Sequence, residues 1–525
     1  MRIVDAKQYT PSTRWIFAEG MSTETKPTSG LVTGSRFREL DTGVMWTFDE
    51  TTQQWYNGNG GMTEKTGNAI AANLATLINA QYSEHGKEIA AKDVNLYDYD
   101  GTVLYAYTAE EFLALTALPP IPAHDGLLAQ GWNWTLANAQ TYVTAYGVCE
   151  IGANYITNDG KTRAVIDIGE PESLKAYLKF QQSTANAVII DWGDESETET
   201  AEGTTAVSIS HTYAEAGRYT ITLTVPTGET MVIGNNGTYQ SGFVGQGATG
   251  WVGRSILREL YVGERVTGIA EQGLWHQTRL EILTLPVGLT TIASRSIEAN
   301  FKLKALNIPS GVTTINDYVF RCDYDLEVLT FPDTVTTFKS PCMTCVALKR
   351  VTIPAGPTSL GAQAFQRCFE ATVINVPASV VTFGANCFEN CYELRSINVP
   401  SGVTAIPNSF ARQCHNLREI TIPEGVTSIG QMAFSGNFGI SELVIPSTVT
   451  SIAQFAFLYN DGANSFYVKA TTPPTLQATA FTGINGEAVI YVPYSEDHSV
   501  LDAYLAATNW SGLGDSIQEE AAPAE

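Results

Sequence analysis

The stretch Leu417–Ile429, LREITIPEGVTSI, decides the fold, because the chain repeats its plan. Leu280–Ile292 reads LEILTLPVGLTTI, Leu303–Ile315 reads LKALNIPSGVTTI, Leu326–Phe338 reads LEVLTFPDTVTTF and Ile440–Ile452 reads ISELVIPSTVTSI. The anchoring prolines stand at Pro286, Pro309, Pro332, Pro354, Pro377, Pro400, Pro423 and Pro446, every step being 23 residues except one of 22. Gly263 lies one period before Pro286, so the array begins near Leu257. Six, three and one positions before Pro423 are Leu417, Ile420 and Ile422, whereas five and two positions before it are Arg418 and Thr421. That spacing suits a short strand with one buried face. Beyond the proline, Val426, Ile429 and Phe434 recur in kind as Val312, Ile315 and Phe320, and would fill the other sides of a coil. One such coil cannot bury its own apolar face, so successive coils must stack on a shared core. The expectation is a right-handed solenoid with a parallel sheet along one side.

Stacking turns each repeat position into a column. Five before the proline the column reads Glu281, Lys304, Glu327, Lys349, Thr372, Arg395, Arg418, Ser441. Neighbours in a parallel ladder are about 4.8 Å apart, and here they begin with alternating sign. Two readings stand: a solvated face arranged to avoid like-charge repulsion, or a ligand-facing stripe. If the exposed strand face binds, its candidates are Glu281, Lys304, Glu327, Lys349, Arg395 and Arg418, with Thr284, Asn307, Thr330, Thr352, Asn375, Asn398 and Thr421 two before the prolines. Cys322, Cys345, Cys368, Cys391 and Cys414 are also spaced by 23, with Asn300 and Asn437 in comparable positions at either end. They read as a buried ladder of compact side chains, since a straight ladder does not supply the tetrahedral geometry of zinc.

The combination of Ala-Phe-x-x-Cys, Leu-x-x-Ile-x-Ile-Pro and Val-x-x-Ile resembles the BspA-like class of leucine-rich repeats over roughly Leu257 to Phe457. That resemblance implies binding or adhesion at a microbial surface and no catalysis. The stretches FYVKATTPPTLQATAF and VIYVPYSEDHSVLDAYLAATNW look like the strands and short helix that close such arrays. A cap is required, because an open last coil would expose an apolar end and a free sheet edge.

Upstream, Val207-Ser208-Ile209, His211-x-Tyr213 and Gly217-x-Tyr219-x-Ile221-x-Leu223-x-Val225 alternate as short antiparallel strands with a tight turn at Glu215 to Gly217. Together with Asp191-Trp192-Gly193-Asp194 they resemble the PKD domain, an immunoglobulin-like β-sandwich, over roughly Thr162 to Ile233. The resemblance implies a spacer or contact module in which the Trp-Gly-Asp turn is structural. Asp191, Asp194 and Glu195 could alternatively hold calcium.

In the amino-terminal third, Gly34 to Tyr56 predicts a small hairpin turning at Asp41-Thr42-Gly43, and Gly67 to Gly86 predicts an amphipathic helix. The first of these resembles a module common in bacteriophage and prophage proteins. Asp98-x-Asp100-Gly101-Thr102-Val103 resembles the first motif of the haloacid-dehalogenase phosphatases, whose first aspartate attacks a phosphoryl group. The chain lacks the alternating strands and helices of that fold, and the nearest imitation of its last motif offers Gly193-Asp194 but Thr198 where an aspartate is wanted. The simpler reading is a hairpin turn at Asp100-Gly101 between VNLY and VLYAY. Two short helices follow, the second beginning near Thr135. With Tyr107-Thr108-x-Glu110-x-Phe112 and Gly131-Trp132-Asn133-Trp134, the span Val94 to Arg163 is similar to a module of prophage-encoded surface or tail-region proteins.

The domain plan is therefore mostly β and multidomain: 1–60 a hairpin module, 61–160 a helix and an α+β module, 161–235 the sandwich, 236–256 a linker, 257–460 the repeats, 461–517 the cap and 518–525 an acidic tail. The 525 residues carry a formal net charge of −24, which argues against a nucleic-acid partner. Between Trp251 and Asn460 there are 15 Lys and Arg against 16 Asp and Glu, so the acid surplus lies elsewhere. No apolar run of about 18 residues is present, and MRIVDAKQYT has no signal-peptide plan. The histidines, His85, His124, His211, His276, His415 and His498, form no close metal-ligand pair, and neither a phosphate loop nor a nucleophile elbow occurs. The expectation is a non-enzymatic virion protein without cofactor or metal. Its amino-terminal third would meet other virion proteins and its repeats a host surface glycan or protein, with a homotrimer as one assembly. The alternative is a BspA-like adhesin on a bacterial cell surface.

Overall fold

The computed structural model describes strands within residues 2–57 and the chain from 91 to 522 except 170–173, 203–205, 235–241 and 246–254. It forms two units, 1–88 and 89–525. In the first, the strands Arg2–Thr10, Thr13–Gly20, Arg36–Glu39, Met45–Asp49 and Gln54–Asn57 make one sheet in chain order. Arg36–Glu39 and Met45–Asp49 pair antiparallel with Phe37 opposite Trp46, the hairpin expected there. The helix expected at Gly67 to Gly86 lies outside the described residues.

The second unit is built on the repeat, and the chain as a whole is mostly β. Each coil contributes one longer strand, such as Ala305–Asn307 or Glu419–Thr421, and one short strand, such as Thr314–Ile315 or Ser428–Ile429. Like strands pair in parallel at the repeat spacing, Ala305 with Val328 and Ser396 with Glu419. Leu417, Val426, Ile429 and Phe434 are buried, and one continuous core runs from Ala164 to Ile517.

The sandwich is part of this body. Thr162–Ile168 pairs antiparallel with Gly217–Thr224 on one side and with Leu257–Tyr261, the first longer strand, on the other. In the opposite sheet Met231–Ile233 pairs parallel with Val266–Ile269, the first short strand. Both strand columns of the solenoid thus continue as the two sheets of the sandwich, which closes the amino-terminal sheet edges. The turn at Glu215 to Gly217 differs from the expected hairpin. Val207–Thr212 pairs with Lys175–Gln182, whereas Gly217–Thr224 pairs with Thr162–Ile168, so the turn carries the chain between sheets. Tyr213 fixes this corner, fully buried with its hydroxyl donating to the Trp192 carbonyl at 3.0 Å. At the far end Ser465–Val468, Val489–Val492 and Ile517–Glu519 extend the longer-strand column, and Trp510 is buried with Nε1 donating to the Pro474 carbonyl at 2.7 Å.

The cysteine ladder holds from Cys345 onward. Each thiol meets a carbonyl of the preceding coil, Cys345 that of Phe320, Cys391 that of Phe365 and Cys414 that of Phe388. Cys322 is not in register, which corrects the sequence reading. The single 22-residue step falls between Pro332 and Pro354, so the ladder position before Cys345 is Asp323, and Cys322 sits half-exposed beside it. Asp323 Oδ1 accepts the Asn300 amide at 2.7 Å, as Asn300 Oδ1 accepts that of Gln277 and Asn437 Oδ1 that of Cys414. Asn437 also has an amide that donates to the Phe434 carbonyl at 3.0 Å, whereas Asp323 Oδ2 is buried with no partner. Burial accordingly pushes the Asp323 carboxyl well above its ordinary range.

Replacing Asp323 by Asn supplies the missing donor and should stabilise the protein at pH 7 by about 1 to 3 kcal/mol. A carboxyl whose pKa rises on folding costs stability as pH climbs from its unfolded value, about 3.9, through the folded one. The melting midpoints of Asp323→Asn and wild type should therefore diverge progressively as pH rises above about 4. Parallel curves would show that Asp323 is not the ladder's defect.

Candidate binding face

The outward-facing residues of each longer strand are those two and four positions before the proline. The columns are Ile282, Ala305, Val328, Arg350, Val373, Ser396, Glu419, Glu442 and Thr284, Asn307, Thr330, Thr352, Asn375, Asn398, Thr421, Val444. Sequence reading offers the column two before the proline, with the column five before it, as a ligand surface, but the first half of the former is already occupied. Thr284, Asn307, Thr330 and Thr352 are at most 5% exposed.

The occupant is the chain's own segment 92–160. Val103–Tyr107, Val94–Tyr97, Cys149–Thr157 and Leu127–Trp132 form its sheet in that order. Thr108 starts the helix Ala109–Leu113 with a capping box completed by Glu111, and Thr135 caps Leu136–Tyr146, which ends at Gly147 with φ +75°. Val94–Tyr97 and Val103–Tyr107 make the expected hairpin, with Gly101 at φ +89°. Asp98 lies in that turn, its carboxylate 2.8 Å from His124 Nε2 and its carbonyl accepting Asn307 Nδ2 at 3.0 Å. The phosphatase-like aspartates thus form a docking turn.

Cys149–Thr157 crosses the ladder, and the polar column meets its backbone. Thr352 Oγ1 accepts the Glu150 amide at 3.0 Å and Asn307 Nδ2 donates to the Ala153 carbonyl at 3.0 Å. Asn133 Nδ2 reaches Thr330 Oγ1 at 2.9 Å, while Trp134 Nε1 donates to the Phe331 carbonyl at 2.7 Å and Tyr142 Oη to that of Ile353 at 2.7 Å. Glu150 is buried between Arg350 Nε at 2.6 Å and the Tyr97 hydroxyl at 2.6 Å. Burial raises its pKa, and the guanidinium pulls against that rise. Sequence reasoning missed these contacts, yet a signal existed. The column four before the proline is apolar or Arg from Ile282 to Val373, then turns polar at Ser396, where the cover ends.

The remaining candidates divide accordingly. Glu281 pairs with Arg258 at 2.7 Å, Glu327 with Lys349 at 2.5 Å, and Lys304 is exposed between them. Asn375 is half-buried, its Nδ2 2.9 Å from the Tyr142 hydroxyl at the border of the cover. Arg395, Asn398, Arg418 and Thr421 are exposed together. In the sandwich, Asp194 Oδ2 is 2.7 Å from His211 Nε2 and Asp191 Oδ1 accepts the Gly193 amide at 2.9 Å. Among the described residues no three His, Cys, Asp or Glu side chains gather as metal ligands. No helix among them is long and apolar enough to cross a membrane.

Residues 253–369 and 340–464 match the family model of the BspA type leucine-rich repeat region, in six copies. The solenoid is a BspA-type leucine-rich repeat region. No curated protein matches the chain. Among solved structures, a leucine-rich repeat protein of Bacteroides ovatus is similar at 20% identity and a TM-score of 0.43, covering 50% of this chain. The chain spans 66% of that protein's length, just under two thirds. A leucine rich cell surface protein of Faecalibacterium prausnitzii is 22% identical with a TM-score of 0.31, covering 47% of this chain and 76% of its own. The pneumococcal vaccine antigen PcpA is 15% identical with a TM-score of 0.31, covering 53% and 83%.

Gly152 is where segment 92–160 is most intolerant of bulk, since a Cβ there would meet Thr330 Oγ1 at 2.2 Å and Asn307 Cγ at 2.3 Å. Gly152→Val should destabilise the protein by about 1 to 3 kcal/mol or more and lift the segment from the ladder. Hydrogen exchange at the Glu150 amide should accelerate and Trp134 emission should shift to the red. Unchanged exchange would show that the segment does not rest on these coils.

Proposed function

We propose that this chain is a non-enzymatic binding protein of the BspA-like kind, an adhesin on a bacterial cell surface whose contact area is the exposed part of the strand face, from Asn375 onward. The observation that carries this reading is the division of the face. Its first coils hold a polypeptide segment through Asn, Thr and Arg side chains, and the later coils present residues of the same kind, Arg395, Asn398, Arg418 and Thr421, to solvent. The partner is a host surface protein or glycan. A virion role rests on the likeness of the amino-terminal third to phage modules. The family match lies wholly in the repeats and favours the cell surface.

Purified full-length protein should bind host cells saturably, and antibody to it should label intact cells of the producing bacterium. Absence of binding to every candidate host surface would remove the adhesin role. Label confined to particles released by lysis would move the protein to a virion.

A further inference from the structure

The charges of the longer-strand columns obey a rule that breaks at one place. Five before the proline, Arg258, Glu281, Lys304, Glu327 and Lys349 alternate in sign, with Arg258 paired to Glu281 and Lys349 to Glu327. Four before it, Arg350 is paired to Glu150 of the covering segment. The like-sign neighbours in these two columns are Arg395 beside Arg418 and Glu419 beside Glu442. All four are exposed, and none has an ion-pair partner among the described residues. Like charges about 4.8 Å apart on adjacent strands destabilise a sheet unless a countercharge arrives. Along the solenoid axis the patch passes from Arg395, through the coil of Arg418 and Glu419, to Glu442, positive at one end and negative at the other.

We infer that this patch docks an extended polypeptide segment of a partner protein, placing an acidic side chain over Arg395 and Arg418 and a basic side chain over Glu419 and Glu442. The inference rests on the exposed strand face being the binding surface. The covered coils show the mode. There an extended strand crosses the ladder, its backbone meets Thr352 and Asn307, and its one buried carboxylate, Glu150, meets Arg350. Side chains on the same side of an extended strand are about 6.8 Å apart, a separation that spans the two charge pairs. The docked segment therefore carries an acidic and a basic residue two positions apart, with Asn398 and Thr421 left to meet its backbone. A sugar chain fits less well. Tyr467 and Tyr491, further along the column two before the proline, stack on each other at 4.9 Å with planes 16° apart, so their faces are not turned outward to a sugar ring.

The test is selection from a random twelve-residue peptide display library on the full-length protein. Enriched peptides should share an acidic-x-basic triplet. A synthetic enriched peptide should bind Arg395→Gln/Arg418→Gln and Glu419→Gln/Glu442→Gln at least about tenfold more weakly than wild type, as expected for a lost charge-assisted contact. Arg367→Gln, on an exposed turn outside the strand face, should leave its affinity unchanged. All three variants alter exposed side chains, and wild-type melting midpoints would confirm intact folding. Enrichment of uncharged peptides, no enrichment, or binding untouched by the arginine and glutamate changes would overturn the inference. So would arginine-dependent binding of polygalacturonate in place of peptides. Host-cell binding that survives both double variants would overturn this assignment and leave the adhesin reading standing. No host-cell binding by wild type would remove that reading itself.

Discussion

Everything in the second unit follows from the inability of a 23-residue coil to bury its own apolar side. Each coil needs a neighbour above and below, both for its core side chains and for the backbone groups of its two strands. Stacking meets that need everywhere except at the ends, and the chain closes both. At the amino-terminal end the sheets of the sandwich continue the two strand columns. At the carboxy-terminal end Trp510 and the last three longer-column strands do the same work.

The same constraint explains the interior ladders. A side chain at one repeat position must satisfy a backbone group one coil away, so Asn, Cys and, at the short step, Asp succeed one another where an amide or carbonyl has to be met. The shorter coil moves the ladder off Cys322 and onto Asp323, leaving one buried carboxylate oxygen unmet. A change of one residue in spacing is therefore felt as a specific unsatisfied atom.

The outer face is where structure changes the functional picture. A row of Thr and Asn that reads as solvent-facing is, over its first coils, a seat for segment 92–160, and the Asp98 turn that imitates a phosphatase motif is part of that seat. What remains open is shorter, more charged and bounded by Tyr142 and Tyr146 of the docked helix, whose hydroxyls meet Asn375 Nδ2 and the Ala378 amide. The open part of the strand face is thus a selected portion of the ladder.

The repeat, its strand, its cap, the antiparallel pairing of Arg36–Glu39 with Met45–Asp49, the hairpin at Asp100-Gly101 and the helix start at Thr135 were legible in the sequence, because each depends on local periodicity or on glycine and capping chemistry within a few residues. The column five before the proline could be written down from spacing alone. What the sequence did not reveal was which coils are covered, that the turn after Tyr213 joins two sheets, and that the sandwich shares its sheets with the solenoid. Many of these contacts join residues far apart in the chain, such as Thr162 with Gly263 and Tyr142 with Asn375. Sequence by itself determined the coil and the need to close it, since both follow from burying a periodic apolar face. Only the tertiary structure decided which segments close and cover it, because shape complementarity between distant surfaces leaves no period to read.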